Sequence, residues 1–299
     1  MNGMRSRLGK STLAVVVIVC AVVFLVFGLV GSVGLVFTNG IQKLVGADWS
    51  AFRIGVGKDY TVDDALSHSL DGVEKIVISS VSTDPQIRSG GTELVSSLTG
   101  TCRSFTDPVK LKVEKSGSTL SVSIHYPVGL GITSENLVYA ITIPATYAGA
   151  LEIDSISAAA RVEDPAFHLG SFRASTVSGD ITVSGISATT YDLNTTSGTI
   201  EVHDATGAVK ANSVSGDLKA WMTGSGDFTG DSVSGTATLT LASVADFDVS
   251  FHTVSGSLRC DFAVVLDKDT RTDMSGKVGA GGPSYKVNTV SGDFRIQQG

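Results

Sequence analysis

The sequence predicts an all-β chain: a single-stranded β-solenoid, β-helix-like at about 19 residues per coil, preceded by one transmembrane α-helix. Three observations carry that prediction. An apolar run without a single charge fills residues 11–37. From residue 73 onward, short segments place apolar residues at alternate positions. A Ser-Gly pair in near-constant surroundings recurs through the second half.

The run "STLAVVVIVCAVVFLVFGLVGSVGLVF" is longer than the roughly 20 residues a bilayer core requires. The apolar region of a cleaved signal peptide spans only about 7–15 residues and ends in a small-residue site, which is missing from this run. Cys20 follows Val17, Ile18 and Val19, without the small residues that precede a lipidated cysteine. Arg5, Arg7 and Lys10 stand before the run, and the next charge is Lys43. That asymmetry predicts a cytoplasmic N-terminus. The expected organisation is a cytoplasmic tail over 1–11, a span over 12–37, a juxtamembrane segment over 38–72 and an extracytoplasmic domain over 73–299 at the cell membrane. Gly28, Gly31 and Gly34 lack the spacing of GxxxG and are ordinary span glycines. Trp49 and Phe52 suit either a membrane interface or packing on the following domain. Thr61 ahead of Asp63 and Asp64 predicts a short helix near 62–69.

Composition narrows the function. Apolar residues make up 42% of the chain, and 34 Gly against 6 Pro argue for a folded domain rather than a Pro/Gly linker. All 29 acidic residues follow the apolar run, leaving a net charge of about −10 beyond it. Such a domain repels phosphate backbones, so nucleic acid is excluded as a partner. Cys102 and Cys260 could pair in an oxidising exterior. Cys260 falls on an apolar strand face with Leu258 and Phe262, which favours a buried thiol.

Residues 73–150 predict irregular leading strands. "KIVISSVS" (75–82) and "LVYAITIP" (137–144) are strands, and "VKLKVEKSGSTLSVSIHY" (109–126) is a hairpin turning at Ser116-Gly117-Ser118. The Gly/Ser/Thr-rich stretch 88–108 predicts loop with at most one edge strand. Over 151–299 regular coils are expected. The repeated pairs are Ser178-Gly179, Ser197-Gly198, Ser215-Gly216, Ser234-Gly235, Ser255-Gly256, Ser275-Gly276 and Ser291-Gly292, with glycine spacings of 19, 18, 19, 21, 20 and 16. "DSISAAARV" (154–162) is an eighth copy with Ala158 in the glycine position.

Aligned on that glycine, called slot 0, the copies are apolar at slots −7 and −5 and again at slots +2 and +4. The apolar parity switches between the two halves, which requires a corner at Ser-Gly. Glycine suits a corner because it tolerates positive φ. Each unit is then two short strands and two corners, and like residues stack about 4.8 Å apart. The serines form one ladder. Asn194, Asn212, Asp231, His252 and Asn288 form a second at slot −4.

With "TVSGDI" (176–181), "SVSGDL" (213–218) and "TVSGDF" (289–294) in view, the chain resembles the bacterial "putative adhesin" family, a domain of unknown function built of such coils. "VEKIVISSVSTD" (73–84) and "VYAITIPATYAGALEIDSISA" (138–158) resemble that family's first strands and first coil. The resemblance implies the solenoid fold over about 73–299 and an adhesive or envelope-stress role. It implies no catalytic residues.

Chemistry-bearing patterns are weak. Asp180, Asp217 and Asp293 recur at slot +1, interrupted by Thr199, Thr236, Ser257 and Lys277. Asp180 and Asp217 would lie two coils apart, about 9.6 Å, too far to share one calcium ion. They are turn aspartates. No G-x-S-x-G motif and no H-x-x-x-H spacing occur. His252 beside Asp231 on the adjacent coil is a polar rung rather than a catalytic dyad. The sequence therefore predicts no enzyme activity, catalytic residue, metal or cofactor. It predicts a membrane-anchored adhesin or surface-binding scaffold with a protein or glycan ligand, or else an envelope-stress sensor or subunit docking another membrane protein. A polysaccharide-active β-helix enzyme is the weakest reading. The last strand, "FRIQQG", is expected to leave an open edge suited to self-association through the C-terminal coil.

Overall fold

The computed structural model describes residues 57–127, 132–223, 226–242 and 246–299. The expected cytoplasmic tail and transmembrane span, and Trp49 and Phe52, lie outside them. The described elements are 23 β-strands.

Seven strands form the leading part: β1 (Lys58–His68), β2 (Lys75–Ser80), β3 (Pro85–Ser89), β4 (Leu94–Ser104), β5 (Lys110–Ser116), β6 (Thr119–His125) and β7 (Ile132–Ile143). The helix expected near 62–69 is instead β1, paired antiparallel with β4 through eleven residues. Val62 faces the interior while Thr61 and Asp63 face out, a two-residue period that overrides the helix-start signal. The expected loop at 88–108 contains β4, placed centrally in a sheet of order β1-β4-β7-β3. Its small polar residues alternate with Leu94, Leu98 and Cys102, which are buried. The hairpin β5–β6 turns at Gly117, whose φ of 59° lies in the left-handed region that glycine favours.

The coils follow as strand pairs, a longer strand before the corner and a shorter one after. They are β8 (Ala150–Ser155) with β9 (Ala160–Glu163), β10 (His168–Thr176) with β11 (Ile181–Ser184), and β12 (Ser187–Thr195) with β13 (Ile200–Ala205). Next come β14 (Ala208–Ser215) with β15 (Leu218–Met222), β16 (Phe228–Ser234) with β17 (Ala237–Leu241), and β18 (Phe247–Ser255) with β19 (Leu258–Cys260). A hairpin, β20 (Val265–Asp269) and β21 (Asp273–Val278), precedes the final pair, β22 (Ser284–Ser291) with β23 (Phe294–Gln298).

The longer strands join β2, β5, β6 and the β20–β21 hairpin in a 12-stranded sheet, and the shorter ones make a 7-stranded sheet. Pairing between coils is parallel and in register. The core lies between the sheets. Ile76, Leu151, Phe172, Tyr191, Val209, Phe228, Tyr285 and Val249 stack along it at slot −7, all buried. Small residues at slot −5, such as Ala174, Ala211 and Gly230, leave room for the rings beside them.

Among the coils, spatial order departs from chain order at one place. The sheets run β16-β22-β18 and β17-β23-β19, so the final coil is inserted between the two coils written before it. The expected open edge at "FRIQQG" is therefore absent: β23 pairs with β17 on one side and β19 on the other. Ser275 and Gly276 are corrected as well. They sit inside β21, antiparallel to β18 opposite Ser250 and Val249, and make no corner. Asp269, the one charged residue at slot −7 of the aligned copies, marks this stretch as a hairpin with no core side chain to supply.

Candidate functional site: the corner edge and the outer rows

The corner glycines stack in the order Gly179, Gly198, Gly216, Gly235, Gly292, Gly256, following Ala158. A Cβ on any of them would run into the carbonyl of the preceding rung. Close axial approach, more than positive φ, selects glycine at these corners: of the six, only Gly216 and Gly235 have positive φ, at 155° and 133°. Thr176 and Thr195 at slot −3 accept the glycine N–H of their own corners at 2.9 and 3.0 Å. Ser178 and Ser197 point outward, and each donates to the slot −2 carbonyl of the rung before, at 3.3 and 3.4 Å. Ser215, Ser234, Ser291 and Ser255 continue that exposed row in register.

Slot +1 shows a pattern that chain order hides. In space the row is Asp84, Ala159, Asp180, Thr199, Asp217, Thr236, Asp293, Ser257, an acid on every second rung. Each carboxylate accepts the backbone N–H of the next rung: Asp84 from Ala159 (2.8 Å), Asp180 from Thr199 (2.8 Å), Asp217 from Thr236 (2.9 Å) and Asp293 from Ser257 (2.8 Å). Thr199, Thr236 and Ser257, which interrupt the aspartates in chain order, are their partners, while Lys277 lies in β21 outside the row. Alternation also keeps like charges two rungs apart, about 9.6 Å. Bonds from the Ser257 side chain and backbone hold the Asp293 carboxyl below the usual range.

Two polar rows flank the corner on the long sheet, the first of them largely buried. At slot −4 the expected polar ladder runs, in spatial order, Asn194, Asn212, Asp231, Asn288, His252. The Asn212 amide donates to Asn194 and the Asn288 amide to Asp231, both at 2.7 Å. Asn288 separates Asp231 from His252, so those two are not neighbours. His252 Nδ1 pairs instead with Asp273 of β21, which Lys268 also reaches at 3.1 Å. Burial would raise the Asp273 carboxyl, but Lys268 and His252 outweigh it and hold it low. At slot −6, Glu152, Arg173, Asp192 and Lys210 alternate in sign rung by rung, with Arg173–Asp192 at 2.9 Å and Lys75 on Glu152. Asp154 lies within this cluster. Burial, then the neighbouring Glu152 charge, push its carboxyl up to about 6.

The slot −2 residues, apolar in most copies, face outward at the corner. Val81, Ile156, Val177, Thr196, Val214, Val233 and Val290 are half-buried, and Val254 is 44% exposed. Together they make a β-branched ridge about 34 Å long beside the serine row. On the short sheet the outer face carries Glu201 paired with Lys219 at 2.8 Å and His203 stacked on Trp221 at 4.0 Å. Cys102 and Cys260 are unpaired and lie at opposite ends of the stack. Among the described residues no cluster of three or more His, Cys, Asp or Glu is placed to hold a metal ion.

Solved structures to which this chain is similar include a putative cell adhesion protein from Clostridium sporogenes, 14% identical with a TM-score of 0.36, covering 80% of this chain and 100% of that one. A putative adhesin from Parabacteroides distasonis is 13% identical with a TM-score of 0.36, covering 81% of this chain and 98% of its own. One from Parabacteroides merdae is 11% identical with a TM-score of 0.32, covering 82% and 98%. No curated protein matches significantly. The family model described as Toastrack DUF4097, a domain of unknown function, matches residues 110–297, so the chain belongs to that family.

Proposed function

We propose that this chain is a non-catalytic surface-binding module, adhesin-like, held outside the cell by a single transmembrane helix over 12–37 with its N-terminus in the cytoplasm. The ridge at slot −2 carries the reading. Eight half-exposed, mostly aliphatic side chains in one line, bordered by a row of serine hydroxyls, offer repeated equivalent contacts to an extended partner, whether a polypeptide or a glycan chain. Their exposure is costly in a monomer, because burying each valine on a partner would gain about 1 kcal/mol or more. The alternating ion pairs of slot −6 beside the polar ladder would supply register and specificity.

The test uses the full chain displayed on cells, screened against host-surface proteins and glycan arrays, beside a Val177→Lys/Val233→Lys variant. Binding that the variant loses at least tenfold supports the proposal. Binding that the variant retains, or release of sugar products from a polysaccharide, contradicts it. Selective recovery of a membrane protein of the same cell supports the sensor or partner-subunit reading instead.

A further inference from the structure

The two ends of the 12-stranded sheet are β5 and β20. At the β5 end the edge carries exposed Lys110, Lys112, Glu114 and Lys115, and the Asp64 carboxylate of β1 accepts the Leu111 N–H at 2.8 Å. Charge and a side-chain cap are standard protections for an edge strand. At the other end, all five residues of β20 are exposed, with Val265 at 62% and Leu266 at 50%. Its outer backbone edge has no strand partner among the described residues. The edge of the short sheet, β19, lies at the same end, as does Val254.

We infer that β20 pairs antiparallel with β20 of a second copy, joining two coil stacks end to end in a closed dimer. The strand's sequence, Val265-Leu266-Asp267-Lys268-Asp269, selects this occupant. Asp267 and Lys268 oppose a strand that is apolar throughout. In an antiparallel pair centred between these two residues, Asp267 lies opposite the partner's Lys268 and Lys268 opposite the partner's Asp267. The charges that reject other strands thus complement their own reversed order, with the half-exposed Lys268 ammonium shared between Asp273 of its own hairpin, at 3.1 Å, and the partner's Asp267. The register irregularity between Leu266 and Lys268 twists the edge and restricts the pairing to a short segment. Growth stops at two because both copies use the same strand, so the contact is isologous and cannot propagate into a fibre.

The experiment is sedimentation of the full chain over a thousandfold concentration range, combined with amide exchange at residues 265–269. The expected result is a monomer–dimer equilibrium in which protection of 265–269 rises with concentration. Asp267→Lys, which sets a lysine of each copy against the partner's Lys268, should weaken dimerisation at least tenfold. The charge swap Asp267→Lys with Lys268→Asp should restore most of the loss. Exchange in β12 and β14, unchanged between variants, establishes that they fold. A monomer at all concentrations overturns the inference. So does protection of 265–269 that is independent of concentration, which would place a segment of the same chain on the edge. A dimer indifferent to Asp267→Lys, or assembly beyond two copies, overturns it equally. None of these outcomes bears on ligand binding at the slot −2 ridge.

Discussion

The near end of the coil stack, where β5 and β9 terminate the two sheets, and the far end, where β20 and β19 do, are finished in different ways. At the near end a separate four-stranded sheet closes over the coils. There β3 packs on β9, Asp164 accepts the Ser89 N–H at 2.7 Å, Asp84 accepts the Ala159 N–H, and Asp64 caps β5. At the far end a hairpin is added to one sheet only, and the coil written last is inserted beneath the coil written sixth. A repeat array needs dissimilar terminal units because its identical middle units leave edges. This chain devotes about 90 residues, 58–149, to closing one end and about 20 to the other. The difference is that the far end, unlike the near end, leaves the outer edge of β20 without a strand partner among the described residues.

Substitutions can sharpen that comparison. The largest effect is expected at the corner ladder. Gly198→Ala forces a methyl group into the Gly179 carbonyl within the clamped middle of the stack and should cost about 3 kcal/mol or more in denaturant unfolding. Gly256→Ala meets the Gly292 carbonyl in the same way, but its rung has a corner neighbour on one side only and can yield. Its cost should be about half as large. Equal costs would remove the distinction between middle and far end.

The pH dependences of the two ends should run in opposite directions. Asp154, toward the near end, has its folded value raised to about 6, above the ordinary value near 3.8, so ionisation disfavours the fold. Its contribution is most favourable below about pH 4 and is lost as pH rises through about 6. Asp154→Asn should therefore stabilise by roughly 1–3 kcal/mol above pH 6 and by little below pH 4. Asp293, at the far end, is depressed by its Ser257 bonds, so its contribution is present above the ordinary carboxylate value and lost as pH falls through the folded one. Asp293→Ala should cost about 1 kcal/mol at neutral pH, reduced by its exposure, and nothing once the carboxyl is protonated. Stability curves of both variants from pH 3 to 8 test this, and the two differences from the parent must have opposite slopes. The smallest effect is at the cap. Asp64→Ala should cost about 0.5–1 kcal/mol and speed amide exchange at Leu111 without changing exchange at β20.

Much of this architecture is legible before any coordinates. Alternating apolar residues on either side of Ser-Gly identify the two strands and the corner, because a buried face must repeat every second residue. The rows at slots −1 and −4 follow from register alone. Three features are not legible, for separate reasons. Val177 and its equivalents are apolar yet face outward, and periodicity cannot tell a corner residue from a core one. Ser275-Gly276 repeats the corner pair, and Asp269 in a core slot betrays it. Coil order is the third. Two in-register coils of the same length are interchangeable locally, so nothing in residues 247–260 or 285–298 alone says which lies against β16–β17. The clue lies at slot +1. Chain order there gives Asp217, Thr236, Ser257, Lys277, Asp293, whereas exchanging the last coils restores strict alternation of carboxylate and N–H partner.

That exchange is the central claim, and paired cysteines in the exposed serine row test it most directly. Adjacent rungs lie about 4.8 Å apart, within disulfide range, whereas rungs two apart, at about 9.6 Å, are out of reach. Under mild oxidation of the full chain, Ser234→Cys with Ser291→Cys should cross-link, as should Ser255→Cys with Ser291→Cys, while Ser234→Cys with Ser255→Cys should not. Efficient bonding of the 234/255 pair, with none for 234/291, would show coils stacked in chain order and contradict the account.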